Sequence, residues 1–158
     1  YIDLETVAGR GTSFDVYLPV SRGQIEKGSG GGLPGGSEGI LVVDDDRFQR
    51  LVATQMLQML GYRVVTVTSG EEAVAYLREH RADLVLLDMV MPGGMDGVET
   101  YRRILEVRPG QKAIIVSGCA ETELVQQAQL LGAGAFYQKP LTVDKLAQAV
   151  RTELARAA

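Results

Sequence analysis

The chain reads as an α/β protein built on a five-stranded parallel, doubly wound sheet. Two observations predict this. Short apolar runs recur, ILVV at 40–43, LVLL at 84–87, AIIV at 113–116 and AFYQ at 135–138, without strict polar alternation. That is the habit of parallel strands buried on both faces. Between the runs lie segments whose apolar residues fall at helical spacing. Regular strand–helix succession of this kind builds a parallel sheet covered by helices.

Each element has its own signal. Strand Ile40–Asp44 opens the regular region. The following helix carries Phe48, Leu51, Val52, Gln55, Met56, Met59 and Leu60 on a helical period and stops at Gly61. Arg63–Thr68 is the second strand, and Ser69 caps a helix over about 70–80 with Glu72 at the capping-box position. Strand Leu84–Asp88 enters a loop, Met89–Gly97, followed by a helix over about 97–107 that Pro109-Gly110 closes. Asp96 is placed to cap that helix. Strand Lys112–Ser117 precedes a helix over 121–131, and strand Ala135–Gln138 leads through Pro140 to a last helix, about Thr142 to Ala155.

Upstream of this region the composition changes. Residues 1–20 hold two alternating runs, Tyr1–Thr6 and Ser13–Tyr17, joined by Ala8-Gly9-Arg10-Gly11, which predicts a β-hairpin. An isolated hairpin is marginal in water, so it is expected to be a remnant of something larger. Residues 21–38 read as a linker, because Gly28–Gly36 contains six glycines in nine residues. The domain reading is therefore a hairpin at 1–20, a Gly-rich linker at 21–38 and an α/β domain at 39–158.

Bulk properties exclude several functions. With a formal net charge of −4 the chain is a poor match for a nucleic-acid backbone. No apolar run approaches the roughly 18 residues that span a bilayer, so no direct membrane contact is expected. The single cysteine, Cys119, excludes an internal disulfide and fits a reducing cytoplasm. One histidine and one cysteine are too few soft ligands for a structural zinc site.

The chemistry is concentrated where strands end. Asp44-Asp45-Asp46 follow the first run, Asp88 the third, Ser117 the fourth and Lys139 the fifth. In an open α/β sheet ligands bind beyond the carboxyl ends of the strands. These side chains should converge at one edge, where carboxylates, a hydroxyl and an ammonium suit a divalent cation and a phosphoryl group. Taken singly, each has a plainer reading. The aspartates favour a helix N-terminus, Asp88 could cap a loop, and Ser117 and Lys139 could be ordinary surface residues. Their joint occurrence at the strand ends favours a site. His80 lies in an Arg-flanked stretch and reads as a solvent-facing residue.

The motifs ILVVDDD, LVLLDMVMPGGMDG, IIVSG and YQKP, in this order and spacing, resemble the receiver domain of response regulators, over essentially all of 39–158. The resemblance implies a flavodoxin-like strand order, 2-1-3-4-5. It also implies transfer of a phosphoryl group from a histidine kinase's phosphohistidine, in cis or trans, onto Asp88. A histidine phosphotransfer protein is a further partner the resemblance allows. The cofactor implied is Mg²⁺, held by Asp45 and Asp88 directly, by Asp44 through water and by the backbone carbonyl of Val90. Lys139 and Ser117 would bind the phosphoryl group. Ser117 stands where threonine is commoner and, with Phe136, would form the switch pair. Val90, two residues after Asp88, and Gly118 would set how long the phosphoryl group survives. MPGGMDG carries one glycine more than the common spacing, so its loop should be longer or looser. Self-phosphorylation and self-dephosphorylation would be this chain's own chemistry.

GRGTSFDVYLP, residues 9–19, resembles the last glycine box and final strand of the histidine-kinase ATPase domain. That likeness implies a hybrid sensor kinase as parent, possessing a cytoplasmic receiver and no DNA-binding output domain after it. Two other classes compete. An aspartyl-phosphate phosphohydrolase would carry a second aspartate where this chain has Val90. A flavodoxin-like cofactor binder would need a phosphate-cradling loop where Asp44–Asp46 stand. A receiver serving only as an interaction surface would not need the acidic set.

Overall fold

The computed structural model describes residues 2–7, 9, 11–17, 35–118 and 123–156. Tyr1, Ala8, Arg10 and residues 18–20 of the expected hairpin segment, residues 21–34 of the linker, Cys119 and the expected start of the helix at 121–122 lie outside them. The chain divides into two compact units, Tyr1–Gly31 and Gly32–Ala158.

In the first unit, strand β1 (Ile2–Val7) pairs antiparallel with β2 (Gly11–Val16), Ile2 opposite Val16 and Val7 opposite Gly11. The Thr6 and Thr12 hydroxyls meet across the pair at 3.2 Å. Leu4 and Val7 remain exposed. Two strands alone offer no second layer on which to bury them.

The second unit alternates β3 (Gly39–Val43), α1 (Arg47–Met59), β4 (Arg63–Val67), α2 (Gly70–Glu79), β5 (Leu84–Asp88), α3 (Gly97–Val107), β6 (Ala113–Ser117), α4 (Glu123–Leu130), β7 (Phe136–Gln138) and α5 (Val143–Ala155). The strands form one parallel sheet in the order β4-β3-β5-β6-β7, with Val43 beside Leu87 and Asp88 beside Val116. This is the 2-1-3-4-5 order expected. Its central strands bury every residue of β5 and β6.

Alternate residues of those strands feed two cores. Leu41, Val43, Val85, Leu87, Ala113 and Ile115 pack with Leu77, Tyr101 and Ile104 on one face. Ile40, Val42, Leu84, Leu86, Ile114 and Val116 pack with Leu57, Leu146 and Val150 on the other. Caps end the helices as the sequence signals predict: Ser69 Oγ accepts from Glu72 N–H at 3.2 Å, and Asp96 Oδ1 from Glu99 N–H at 2.8 Å. His80 is exposed and stacks on Tyr76, ring centroids 4.5 Å apart.

Two features depart from a simple reading of the pattern. On α1 the periodic stripe is not all core: Leu57 is buried, whereas Phe48 and Met59 are 75% and 78% exposed, with Leu51 and Val52 also open. The helix buries the face through Ala53, Met56 and Leu57 and turns the 48–52–59 edge outward. The second feature lies at the end of the Gly-rich stretch, where residues 35–38 are attached to the sheet unit. Gly36 N–H donates to Leu60 O at 3.1 Å, Arg63 N–H to Glu38 O at 3.0 Å and Arg63 Nε to Ser37 O at 3.0 Å. Gly61 makes this approach possible: its φ of +90° turns the chain after α1, and a Cβ there would lie 2.8 Å from Gly36 O.

Candidate functional site

β3 and β5 are neighbours, so their carboxyl ends lie side by side at one edge, and the Lys139 side chain, from just past β7, reaches across to both. Asp44, just past β3, and Asp88, the last residue of β5, are both buried. Asp45 follows on the exposed rim. One carboxylate oxygen from each of the three lies within 4.8 Å of the others. Lys139 bridges two of them, its Nζ donating to Asp44 Oδ2 at 2.6 Å and to Asp88 Oδ2 at 2.9 Å.

Electrostatics follow from this crowding. Burial pushes the Asp44 carboxyl above its ordinary range, and the hydrogen bond and charge of Lys139 reduce that rise without cancelling it. Burial works against the Lys139 ammonium too. There the bonds and charges of the two carboxylates win, and its pKa lies above the usual lysine value. One ammonium against three carboxylates leaves surplus negative charge. All the side-chain donors are oxygens, so the set suits a hard divalent cation.

The turn that carries Asp44 and Asp45 is tightly bonded. Asp44 Oδ1 accepts from Asp46 N–H at 2.9 Å, and Asp46 Oδ1 caps α1 by accepting from Phe48 N–H at 2.7 Å. Arg50, one turn into α1, donates through Nη1 to Asp44 O at 2.7 Å and Asp45 O at 2.8 Å. Sequence reasoning missed Arg50. Its signal was the spacing: six residues after Asp44, early enough on the helix to fold back onto the turn.

The other expected residues are placed as follows. Val90 is exposed at the start of the loop after β5, its N–H donating to Asp88 Oδ1 at 3.3 Å. Ser117 ends β6, buried, and its carbonyl accepts from Lys139 N–H at 2.9 Å. Gly118 is exposed, with open space where a Cβ would be. Phe136 begins β7 and packs half-buried on the core that contains Leu87 and Ile115, while Tyr137 packs on the opposite core. Asp44, Asp88 and Lys139 are thus in direct contact, Asp45 completes the carboxylate group, and Ser117 adjoins Lys139 through the backbone. Phe136 lies away from this contact, on β7, opposite Ile115 of β6 in the same sheet.

A parallel sheet of this order with acidic residues and a lysine at its carboxyl edge defines a receiver-type signalling module. The model of the response regulator receiver domain matches residues 40–151, and the chain belongs to that family. It is the phosphoacceptor receiver domain of two-component systems. It is 33% identical over 118 residues to the sporulation initiation phosphotransferase F of Bacillus subtilis (strain 168), covering 75% of this chain and 94% of that protein. The sensor kinase CckA of Brucella abortus (strain 2308) is 29% identical over 170 residues, 98% of this chain but 18% of that kinase. Among solved structures, the receiver domain of a sensor histidine kinase from Pseudomonas aeruginosa PAO1 superposes with a TM-score of 0.69 at 26% identity. That match covers 77% of this chain and 100% of the other, which holds a magnesium ion coordinated in its active-site cleft. Among the described residues no helix is long and apolar enough to cross a membrane.

Proposed function

We propose that this receiver takes its phosphoryl group on Asp88 from a phosphohistidine. The observation that carries this is the meeting of Asp44, Asp45 and Asp88 around the Lys139 ammonium at the strand edge. Asp88 is the acidic side chain that ends the central strand, and it is the one bonded both to Lys139 and to the N–H at the head of the following loop. In the transfer, the P–N bond of the donor breaks as a P–O bond to the Asp88 carboxylate forms, and the departing imidazole nitrogen is left to take a proton. Lys139, already held between two carboxylates, can follow the negative charge onto the phosphoryl oxygens. The Ser117 hydroxyl is proposed as a further donor to them, with Phe136 responding to its movement.

The cofactor this donor set fits is Mg²⁺, with Asp45, Asp88 and the Val90 carbonyl as direct ligands and Asp44 acting through water. Bound there, it would neutralise charge on the phosphoryl oxygens. Arg50 and Asp46 keep the acidic turn in shape for it.

A macromolecular donor is supported by the surface beside the cleft. The exposed apolar edge of α1 begins at Phe48, two residues past the Asp46 cap, and an apolar hollow lined by Val52, Met56, Pro140 and Leu141 adjoins Asp44 and Lys139. A histidine kinase domain or a phosphotransfer protein that delivers its histidine to Asp88 would cover both. The hairpin at 1–20, followed by the linker at 21–38, is proposed to be the end of a kinase ATPase domain preceding the receiver at 39–158. Support comes from the alignment of 98% of this chain with the Brucella kinase. The parent would then be a hybrid histidine kinase acting in the cytoplasm.

The test is incubation with Mg²⁺ and a small acyl phosphate, with the labile phosphate located by mass spectrometry. Label on Asp88, and none in Asp88→Asn, is the expected result. Unchanged labelling of that variant at the same level would overturn the assignment.

A further inference from the structure

The loop between β5 and α3 is one glycine longer than its motif commonly runs, yet it is not loose. At its entrance Val90 N–H reaches Asp88 Oδ1, and at its exit Gly97 N–H donates to Met89 O at 3.2 Å. A third attachment comes from another element. Met95 N–H donates to Glu71 Oε1 at 3.0 Å, joining the loop to the first turn of α2 across 24 residues of sequence. Gly94 lies against the same carboxylate, and a Cβ there would stand 3.0 and 3.1 Å from its two oxygens. A side chain at 94 would therefore crowd the Glu71 carboxylate and press it away from the loop.

Glu71 projects from a rigid base. Its neighbour Glu72 accepts from the Thr68 N–H at 2.7 Å and the Thr68 hydroxyl at 2.9 Å, while Ser69 Oγ accepts from the Glu72 N–H. This reciprocal cap holds the first turn of α2. Adjacent glutamates thus do different jobs: Glu72 closes its own helix end, and Glu71 reaches away to the loop. Its own backbone N–H first, and that of Met95 second, hold the Glu71 carboxyl below its ordinary range, so it is an ionised acceptor at neutral pH.

We propose that Glu71 is a positioning residue for the phosphoacceptor site, a latch that keeps the Val90–Asp96 loop ordered before the cation arrives. The inference rests on the reading of the site given above, in which the Val90 carbonyl is a ligand. Without the latch, loop order must be gained when the cation binds, and that entropy weakens binding. Loss of one exposed hydrogen bond of this kind corresponds to about a fivefold change. The maximal rate at saturating Mg²⁺ is unaffected, because the loop is then ordered by the cation.

The experiment compares the wild-type chain with Glu71→Ala, Glu71→Gln and Gly94→Val. Calorimetric titration with Mg²⁺ alone, phosphorylation by a small acyl phosphate across Mg²⁺ concentrations, and hydrogen exchange at the Met95 amide in metal-free protein are the readouts. Glu71→Ala should bind Mg²⁺ about fivefold more weakly, keep its maximal phosphorylation rate and lose protection at Met95. Glu71→Gln, which retains a carbonyl acceptor, should recover most of the affinity. Gly94→Val should behave like Glu71→Ala and add little to it in the double variant, since both break one contact. Wild-type Mg²⁺ affinity in Glu71→Ala would overturn the proposal. So would equal weakening in Glu71→Gln, which would make the effect one of charge acting at a distance. If the wild-type chain binds Mg²⁺ without taking phosphate on Asp88, the reading of the site fails instead, and the Mg²⁺ and exchange data still judge the latch.

Discussion

Replacing Lys139 by Met removes the ammonium that lies between two buried carboxylates and leaves a side chain of similar length. In the wild type its Nζ makes bonds of 2.6 and 2.9 Å to Asp44 and Asp88, and its side chain is 16% exposed. Each charge-assisted bond contributes on the order of 1.5–3 kcal/mol. Against this stands the recovered cost of burying the ammonium. Taking one partner from a buried ionic group typically costs about 3–5 kcal/mol. The lower end applies at this rim position, so the metal-free variant should lose about 3 kcal/mol at neutral pH, roughly 10 °C in melting temperature for a domain of this size.

The pH dependence carries the sharper test. Asp44 already has a raised folded-state pKa, so its contribution is most favourable below the unfolded carboxylate value and is lost as pH rises through the folded one. Lys139 supplies the bond and charge that limit this rise. Without it the Asp44 pKa climbs further, and stability falls more with increasing pH. The difference between variant and wild type should therefore be smaller near pH 4 than near pH 7.5, and Mg²⁺ should recover much of it at the higher pH. Urea denaturation at the two pH values, with and without Mg²⁺, measures all of this. An equal loss at both, untouched by Mg²⁺, would mean that Lys139 acts through packing alone, and the electrostatic reasoning would be refuted.

Asp45→Ala should abolish the Mg²⁺-dependent rise in melting temperature while leaving metal-free stability nearly unchanged, because Asp45 is exposed; thermal denaturation with and without Mg²⁺ checks it. Val90→Asn should shorten the life of the phosphorylated protein, since an amide at this exposed position can orient an attacking water and the valine cannot; decay of labelled protein under identical Mg²⁺ measures it. Arg50→Ala frees the Asp44 and Asp45 carbonyls and should weaken Mg²⁺ binding several-fold, about 1 kcal/mol, without moving the site of phosphorylation. Phe48→Ala, at an exposed position of α1, should slow transfer from a phosphohistidine protein but not from a small acyl phosphate.

Much of the sheet was legible because its signals are local. Buried parallel strands must be apolar on both faces, so ILVV, LVLL and AIIV announce β3, β5 and β6 with ends within a residue of those observed. The Ser69 and Asp96 caps were readable for the same reason: a cap is a contact across three residues. Less was visible in α1. Its apolar period foretold a helix, but a period says which residues share a stripe and not which edge of a broad stripe meets the core. Only packing against β3 and α5 shows that Leu57 goes in and Phe48 and Met59 stay out.

The same divide runs through the site. Residue chemistry at strand ends pointed to Asp44, Asp45, Asp88, Ser117 and Lys139, since a parallel sheet gathers its carboxyl ends at one edge whatever the loops do. The distances were not in the sequence. That Lys139 bonds Asp44 and Asp88 across 95 and 51 residues follows from the β4-β3-β5-β6-β7 order and from where the chain leaves β7. Nor did local spacing reveal Glu71 reaching Met95, or residues 35–38 held against Leu60 and Arg63. A periodic pattern encodes which elements form and what they bury. Contacts between side chains far apart in the chain depend on how those elements are stacked, and that exists only once the core has closed.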